Sequence, residues 1–246
     1  MNSWIITGGT KGLGRALAEE LLDFGQGVIF CARTAQDVAH TVDALQARGS
    51  IVGVTGTIAD PWVAHQLVAQ ARERFGGVDG IIANASVLDS PPLAPVCELD
   101  PLALQSVLSV NLFGALHLIQ AAHTWLKQSR RPTILALTSD AAHSTYPGWS
   151  GYGLSKAALE ELVLTYGKEN PEISTLVIDP GDMDTALHQE ALPQEPPPSR
   201  HAVTVAKALK NLWQEPRPAS GRYILTDDPE GLRLQEVSLR VKAVAD

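Results

Sequence analysis

The chain has 246 residues, 45% of them hydrophobic and 19% charged, and its formal net charge is -8. This balance is typical of a folded globular protein, and the length suffices for one large α/β domain or two small ones. The longest run of basic residues is Arg130-Arg131, so the clustered cations that bind a nucleic-acid backbone are missing.

Cysteine and histidine spacing gives no sign of a metal site or a disulfide. Cys31 and Cys97 are far apart, and the seven histidines form no HExxH or similar pattern. The first residues, MNSWIITGG, lack the charged leader and apolar core of a signal peptide. No stretch approaches the roughly 18 apolar residues that cross a bilayer. We therefore expect a cytoplasmic protein without a membrane partner.

Short apolar runs alternate with longer amphipathic segments along the chain. Seven runs are predicted strands, at 3–7, 27–32, 50–54, 77–85, 132–138, 174–179 and 220–225. Helices are predicted at 13–24, 35–48, 61–75, 98–128, 151–169 and 201–214. Such alternation predicts a parallel sheet with right-handed crossovers and helices on both faces. The fold class is therefore α/β, with residues 1–246 forming a single Rossmann-type doubly wound domain around a seven-stranded parallel sheet.

A glycine-rich loop, TGGTKGLG, follows the first strand at Thr7 to Gly14. Glycines between a strand and a helix let the backbone approach a pyrophosphate, and the helix N-terminus supplies free N–H groups and a positive dipole end. Strand, loop, helix and second strand follow in the order of a dinucleotide-binding unit. A tight turn that binds no ligand is the alternative.

The end of the second strand bears on the choice between NAD and NADP. An acidic residue there would hold a ribose 2′-hydroxyl, but residues 31–33 contain none, and Arg33 can instead pair with a 2′-phosphate. Lys11 in the glycine loop could reach the same phosphate. The two cations predict NADP(H), unless they are ordinary solvated charges.

The segment GYGLSK, Gly151 to Lys156, puts a tyrosine four residues before a lysine, which on a helix places both on one face. TGGTKGLG resembles the TGxxxGxG loop of the short-chain dehydrogenase/reductase family, and YGLSK resembles that family's YxxxK motif. The resemblance covers nearly the whole chain. Ser139 and Asn111 stand where family members carry a catalytic serine and asparagine, and 179–185 is similar to the family's PGxxxT segment.

The resemblance implies a role for each of these residues. Tyr152 would deliver the proton to a substrate carbonyl, with Lys156 lowering the tyrosine pKa and binding the nicotinamide ribose. Ser139 would hydrogen-bond the substrate oxygen, and Asn111 would hold a water that links Lys156 to solvent. Taken singly, Ser139 could instead be a strand-end cap, Asn111 a buried amide and Lys156 a surface charge.

The resemblance also implies a set of cofactor contacts, and the histidine and cysteine spacing predicts no metal ligands. These contacts are Gly8, Thr10, Lys11, Gly12, Leu13, Gly14, Arg33, Ile58, Asn84, Ala85, Tyr152, Lys156, Pro180, Gly181, Met183 and Thr185. Two positions depart from the family pattern. Ser86 replaces a glycine beside the cofactor, and Thr57 replaces an aspartate that contacts adenine, which leaves the backbone around Ile58 for that role.

The predicted function is the NADPH-dependent reduction of a ketone or aldehyde, or oxidation of the matching alcohol, on a small aromatic or cyclic substrate. The subgroup that the chain resembles is that of sepiapterin or benzil reductases, with a lid over the substrate at about 183–200. A non-redox step such as cyclisation or isomerisation in the same pocket, and a non-catalytic NADP-sensing regulator, stay open. A homodimer is expected through the fourth and fifth predicted helices, 98–128 and 151–169, the second of which carries Tyr152, with a tetramer possible. Leu234, Val237, Leu239 and Val241 suggest a C-terminal tail that packs on the chain itself or on a partner.

Overall fold

A computed structural model describes residues 1–88, 93–213, 218–229 and 231–237. Its strands form one sheet in the order β3-β2-β1-β4-β5-β6-β7-β8. The strands are β1 (Ser3–Thr7), β2 (Gly27–Ala32), β3 (Ile51–Thr55), β4 (Gly80–Ala83), β5 (Thr133–Leu137), β6 (Ser174–Asp179), β7 (Gly221–Asp228) and β8 (Gly231–Val237).

Helices connect the strands and cover both faces of the sheet. They are α1 (Gly12–Asp23), α2 (Ala35–Leu45), α3 (Pro61–Phe75), α4 (Pro101–Leu108), α5 (Gly114–Leu126), α6 (Ser150–Glu169), α7 (Ala186–Ala191) and α8 (Ala202–Ala208). Short 3₁₀ turns cover Val96–Glu98, Asp140–Ala142 and Leu209–Trp213, and a π-helical turn covers Ser109–Phe113. The helix predicted over 201–214 is thus α8 and a 3₁₀ turn, and residue 214 lies outside the described residues.

The doubly wound α/β fold is confirmed, with the seven predicted strands parallel to one another. Among the described residues the sheet has eight strands rather than the predicted seven, because β8 pairs antiparallel with β7 from Arg222↔Val237 to Asp228↔Gly231. Leu232 and Leu234 on β8 pack against the core, and Arg233 between them is exposed. The predicted tail therefore begins as an edge strand, and Leu239 and Val241 lie outside the described residues.

Each face of the sheet has its own apolar core, as alternation along the strands requires. Ile6 and Phe30 point to the face covered by α1 and α8, whereas Ile5 and Ile29 point to the face covered by α3, α5 and α6. The strand order reverses between β1 and β4. In open α/β sheets the crevice at this reversal, at the carboxyl ends of the strands, is where ligands bind.

The helix predicted over 98–128 is interrupted by the π-helical turn, which carries Asn111. The stretch Pro101–Leu126 is 26 residues long, and an 18-residue window within it has a mean hydropathy of 1.7, so by length and composition it could cross a membrane. This corrects the expectation that no stretch reaches that length. A core helix passes the same test, and α5 buries Leu118 and Leu126 completely against the sheet.

Candidate active site

The glycine loop is held against the end of β2 and opens α1 tightly. The N–H groups of Gly8 and Gly9 donate to the carbonyl of Cys31 at 3.0 and 3.2 Å. Gly8 and Gly12 have φ angles of +72° and +53°, which favour glycine. A Cβ added to Gly14 would lie 2.2 Å from the Gly8 carbonyl oxygen, so glycine is required for the helix to start this close to the loop.

Asn84 braces the same loop from the end of β4. Its side-chain amide donates to the carbonyl oxygens of Thr7 and Gly8 at 2.8 and 3.0 Å. The Thr7 hydroxyl accepts in turn from the N–H groups of Asn84 and Ala85, both at 2.9 Å. Asn84 therefore fixes the glycine loop, and its direct contact with a cofactor stays a prediction.

A cavity of about 530 Å³ opens at the carboxyl ends of the strands. It brings together nearly all of the predicted site residues. Those that line it are Gly8, Thr10, Lys11, Gly12, Leu13, Arg33, Ile58, Asn84, Ala85, Ser139, Tyr152, Lys156, Pro180, Gly181, Met183 and Thr185. Gly14 and Asn111 are the two predicted site residues that do not line the cavity.

One end of the cavity carries both signs of charge. Lys11 and Arg33 line it, and so does Asp37 in the first turn of α2. The Lys11 ammonium lies 3.2 Å from the Asp37 carboxylate. Sequence reasoning missed Asp37, because its pairing with a residue of another loop depends on how α2 packs. This end of the cavity thus has one exposed guanidinium and one ammonium that is shared with a carboxylate.

Tyr152 and Lys156 lie together on α6 at the other end of the cavity. Both are buried, with exposed fractions of 8% and 3%. The Lys156 ammonium is 5.5 Å from the centre of the Tyr152 ring and donates to the Leu137 carbonyl at 2.9 Å. The Trp149 ring packs edge-on against Tyr152 at 5.7 Å between ring centres. The tyrosine–lysine spacing therefore forms the predicted pair on one helix face.

Burial changes the pKa of both members of this pair. It raises the pKa of Tyr152 to about 12; the nearby Ser86 hydroxyl opposes the rise, and the charges of Asp179, Asp140 and Asp182 add to it. Burial lowers the pKa of Lys156 to about 8, against the attraction of Glu160 and Asp179. In the chain by itself the tyrosine pKa therefore moves opposite to the expected lowering by Lys156, because loss of hydration and three carboxylates act on the phenol.

Ser86 occupies the position where the family pattern has glycine, and it lines the cavity. Its hydroxyl oxygen is buried and has no partner in hydrogen-bonding geometry within the described part of the chain. The effect of Ser86 on the Tyr152 pKa nevertheless places the two hydroxyls close together. The Ser86 hydroxyl is therefore a neighbour of the phenol without a hydrogen bond to it.

Ser139 lies at the end of β5 and caps the 3₁₀ turn that follows. Its hydroxyl donates to the Asp140 carboxylate at 2.9 Å and accepts from the N–H of Ala141 at 3.2 Å. A Cβ added to Gly153 would lie 2.5 Å from the Ala141 carbonyl oxygen, so α6 packs directly on this turn. Gly153 therefore brings the helix that carries Tyr152 against the loop that carries Ser139.

Asn111 lies behind the cavity wall on the π-helical turn. Its side-chain oxygen accepts from the N–H of Val87 at 2.8 Å, and its amide donates to the Val87 carbonyl at 3.0 Å and to the Ser155 hydroxyl at 2.9 Å. Asn111 thus ties Val87, which lines the cavity, to the residue preceding Lys156. Its role in holding a water stays a prediction.

The predicted lid, 183–200, forms one wall of the cavity. Met183, Thr185 and Leu187 line the cavity, and Thr185 caps α7. The two ends of the segment meet, because the N–H of Asp184 donates to the Arg200 carbonyl at 2.9 Å. The Arg200 side chain then donates to the Pro180 carbonyl at 2.7 Å. The ends of the segment are therefore close together, and its role as a lid stays a prediction.

Sequence reasoning also missed a group of buried charges behind Ser139, formed by Glu160, Arg222 and Asp179. One signal was available: Glu160 stands four residues after Lys156 and therefore lies on the same helix face. Arg222 could not be assigned, since it comes from a strand 62 residues away along the chain.

Comparison with known proteins gives one family. Residues 2–196 match the family model described as short chain dehydrogenase. An uncharacterized oxidoreductase of Schizosaccharomyces pombe is 31% identical over 183 residues, which cover 74% of this chain and 71% of that protein. The benzil reductase ((S)-benzoin forming) of Bacillus subtilis is 31% identical over 192 residues, covering 76% of each. The alcohol dehydrogenase of the archaeon Thermococcus sibiricus, solved with 5-hydroxy-NADP, has a TM-score of 0.81 at 24% identity, covering 92% of this chain and 96% of that one.

Proposed function

The chain belongs to the short-chain dehydrogenase family, and from that premise we propose that it reduces a ketone or aldehyde with NADPH, or oxidises the matching alcohol. One observation carries the proposal: Ser139, Tyr152 and Lys156 line the same cavity as the glycine loop. The substrate we propose is small and aromatic or cyclic. Trp149, Met183 and Leu187 support that choice as apolar lining, and so does the name of the Bacillus subtilis relative.

When bound, the nicotinamide would supply or accept the hydride. Tyr152 would donate the proton to the carbonyl oxygen, and Ser139 would hold that oxygen once its hydroxyl turns away from Asp140. Because burial raises the pKa of Tyr152 to about 12, the phenol carries its proton at neutral pH. A protonated phenol suits reduction, whereas oxidation needs the phenolate. We therefore propose reduction as the direction favoured at neutral pH.

The residues around the cavity fit a dinucleotide with a 2′-phosphate. The first turn of α1 has no side-chain cap and no acidic residue, which leaves its N–H groups for the pyrophosphate. Arg33 would pair with the 2′-phosphate, and Lys11 would join it by sharing its charge between the phosphate and Asp37. The Thermococcus sibiricus protein, which shares the fold, was solved with 5-hydroxy-NADP and is consistent with this choice.

We also propose that the protein is a homodimer through α4, α5 and α6. Leu102 on α4 is 70% exposed, Leu154 on α6 is 51% exposed, and Phe113 in the π-helical turn between α4 and α5 is 42% exposed. Only 33% of the most apolar part of Pro101–Leu126 is buried inside the chain. Burying this surface against a second copy would remove apolar area from water.

The proposed activity is tested with the purified protein, NADPH and a panel of aromatic and cyclic ketones that includes benzil. We expect NADPH oxidation that depends on the ketone and falls at least about a hundredfold in Tyr152→Phe, which keeps the ring but lacks the proton. Full activity of Tyr152→Phe would contradict the proton-donor role. Conversion of a substrate with no net change in NADPH would favour the non-redox alternative. Binding of NADPH without any conversion would favour the sensing alternative.

A further inference from the structure

A carboxylate with four hydrogen bonds lies directly behind Ser139. Glu160 on α6 is 3% exposed. Its oxygens accept from the Thr138 hydroxyl at 2.5 Å and contact the His143 imidazole nitrogen Nε2 at 2.7 Å. The guanidinium Nε of Arg222 on β7 lies 3.1 and 3.2 Å from the two oxygens. The side chain thus contacts residues on both sides of Ser139 and a strand at the far side of the site.

The contacts continue from Arg222 to the loop after β6. The Arg222 Nη2 atom lies 3.7 Å from the Asp179 carboxylate. The other oxygen of that carboxylate accepts from the N–H of Gly181 at 2.9 Å. Asp179 directly precedes Pro180 and Gly181, which line the cavity on the side of the predicted cofactor contacts. The connected charges of Glu160, Arg222 and Asp179 therefore reach three segments beside the cavity. These are the loop after β5, helix α6 and the loop after β6.

Stability alone is a weak reason to bury these charges. Removing a carboxylate and a guanidinium from water costs several kcal/mol, and apolar residues of similar size are often as stabilising as a buried ion pair. Arg222 and Glu160 are 6% and 4% exposed at their side chains, so little solvent remains to hydrate them. A buried ion pair with all its hydrogen bonds made does, however, hold the segments that it joins in one fixed arrangement.

We propose that Glu160 is a positioning residue for the reaction, holding the strand end with Ser139, the helix with Tyr152 and Lys156, and the loop at Pro180 in one arrangement. The proposal rests on the proposed function, since it concerns the geometry of the same carbonyl-reducing site. Glu160 itself does not line the cavity. It acts through Thr138, which immediately precedes Ser139, and through its own helix, on which Lys156 lies one turn earlier.

Glu160 also affects the charge of Lys156. The charged and titratable groups around Glu160 are His143 from the loop after β5, Arg222 from β7, and Lys156 on its own helix, with Asp179 behind Arg222. The Glu160 carboxylate opposes the lowering of the Lys156 pKa by burial. Without it the ammonium would lose its proton at a lower pH. Removing the Glu160 charge should therefore change the pH dependence of kcat as well as its size.

The first variant is Glu160→Gln, which keeps the shape of the side chain and removes the charge. We expect kcat to fall at least about tenfold and the alkaline limb of the kcat pH profile to move down by about one pH unit. Glu73→Gln, an exposed carboxylate on α3, makes the same change in net charge and is the control. Its kcat and its pH profile should match those of the unchanged protein.

A second variant keeps the test valid should Glu160→Gln fail to fold. Thr138→Val removes the hydroxyl that donates to Glu160 while leaving every charge in place. We expect kcat to fall by about tenfold with a smaller change in the KM for NADPH, because Thr138 positions Ser139 rather than the cofactor. If both variants fold, the losses should be less than additive in the double variant, since the two side chains act through one contact.

Readouts that do not need turnover separate this proposal from the proposed function. An ultraviolet difference titration follows phenolate formation, and comparison with Tyr152→Phe isolates the part due to Tyr152. In Glu160→Gln we expect that phenolate to form at lower pH, because a carboxylate charge near the site is removed and Lys156, with a pKa of about 8, is already neutral where Tyr152 ionises. If the protein reduced no ketone, the proposed function would be wrong, but the phenolate titration could still be measured and would still test the role of Glu160. Folded Glu160→Gln and Thr138→Val proteins with unchanged kcat, pH profile and phenolate titration would overturn the role of Glu160.

Discussion

Gly153 packs directly against the backbone of Ala141. A Cβ atom placed on Gly153 would lie 2.5 Å from the Ala141 carbonyl oxygen, closer than real Cβ atoms come to such a neighbour. Ala141 lies two residues after Ser139, and Gly153 follows Tyr152. This one approach therefore determines how near the proposed proton donor stands to the serine that would hold the substrate oxygen.

We expect Gly153→Ala to lower kcat by about tenfold and the free energy of unfolding by about 1–3 kcal/mol, because α6 must move away from the turn. Gly151→Ala is the matched control on the same helix. Its Cβ would meet only Leu104 and Leu99 at 3.6 and 3.8 Å, which are ordinary contacts. In Gly151→Ala, the higher helix propensity of alanine should leave the free energy of unfolding equal to or above that of the unchanged protein. Thermal unfolding and steady-state kinetics check both, and equal behaviour of the two variants would contradict the close-packing argument.

Cofactor preference should depend on Arg33 and on the Lys11–Asp37 pair. Arg33→Asp exchanges a phosphate-binding cation for a group that accepts from a ribose hydroxyl, so we expect the ratio of kcat/KM for NADPH to that for NADH to fall about a hundredfold. Asp37→Asn should move the ratio the other way by a smaller factor, because it frees the Lys11 ammonium. The ratio is measured with one ketone at fixed pH. An unchanged ratio in Arg33→Asp would remove the basis for preferring NADP.

The features that could be predicted from the sequence are those with a local signal. The continuous apolar strands, the glycine loop and the Tyr152–Lys156 spacing each depend on neighbours within one or two turns, and the structure has all of them. The bounds of β1, β2 and β6 match the sequence prediction residue for residue.

The features that were missed depend on long-range packing. β8 has an irregular alternation of outward and half-buried residues, as expected at a sheet edge with solvent on one side, and it was interpreted as a tail. The contact of Glu160 with Arg222 joins α6 to β7 and has no counterpart in spacing along the chain. The direction of the Tyr152 pKa was also missed, because it is set by burial and by carboxylates from other segments.

Ser86 gives a prediction about the pH at which Tyr152 ionises. Its hydroxyl lowers the pKa of Tyr152, so removing it should raise that pKa further. In Ser86→Ala we expect the pH optimum of alcohol oxidation to move up by roughly half to one pH unit, with little change in reduction at neutral pH. Ser86→Thr keeps a hydroxyl and should stay close to the unchanged protein. A pH profile of oxidation that is the same in the alanine and threonine variants would remove Ser86 from the chemistry.

Lys156 connects stability with pH in a direction that can be worked out. Burial lowers its pKa from 10.5 to about 8 in the folded chain, so between these values the unfolded chain binds more protons than the folded one. The contribution of Lys156 to the free energy of unfolding therefore rises with pH between about 8 and 10.5. Below about pH 8 the buried charge lowers the free energy of unfolding by its full amount. Lys156→Met removes the charge and keeps most of the volume. It should abolish turnover while gaining roughly 1–3 kcal/mol of stability relative to the unchanged protein at pH 7.

Measuring the stability difference between Lys156→Met and the unchanged protein at several pH values is a stricter test than one measurement at pH 7. As pH rises from about 8 towards 10.5, the unchanged protein regains stability as its buried lysine becomes neutral, so the difference between the two proteins should shrink. Tyr152 has the opposite sign, since its pKa is raised to about 12, but both proteins contain it and its effect largely cancels in the difference. Urea unfolding at several pH values gives the curve. A difference that stays constant from pH 7 to pH 10 would mean that Lys156 keeps its proton in the folded chain over this range as it does in the unfolded chain, and the lowering of its pKa by burial would then be wrong.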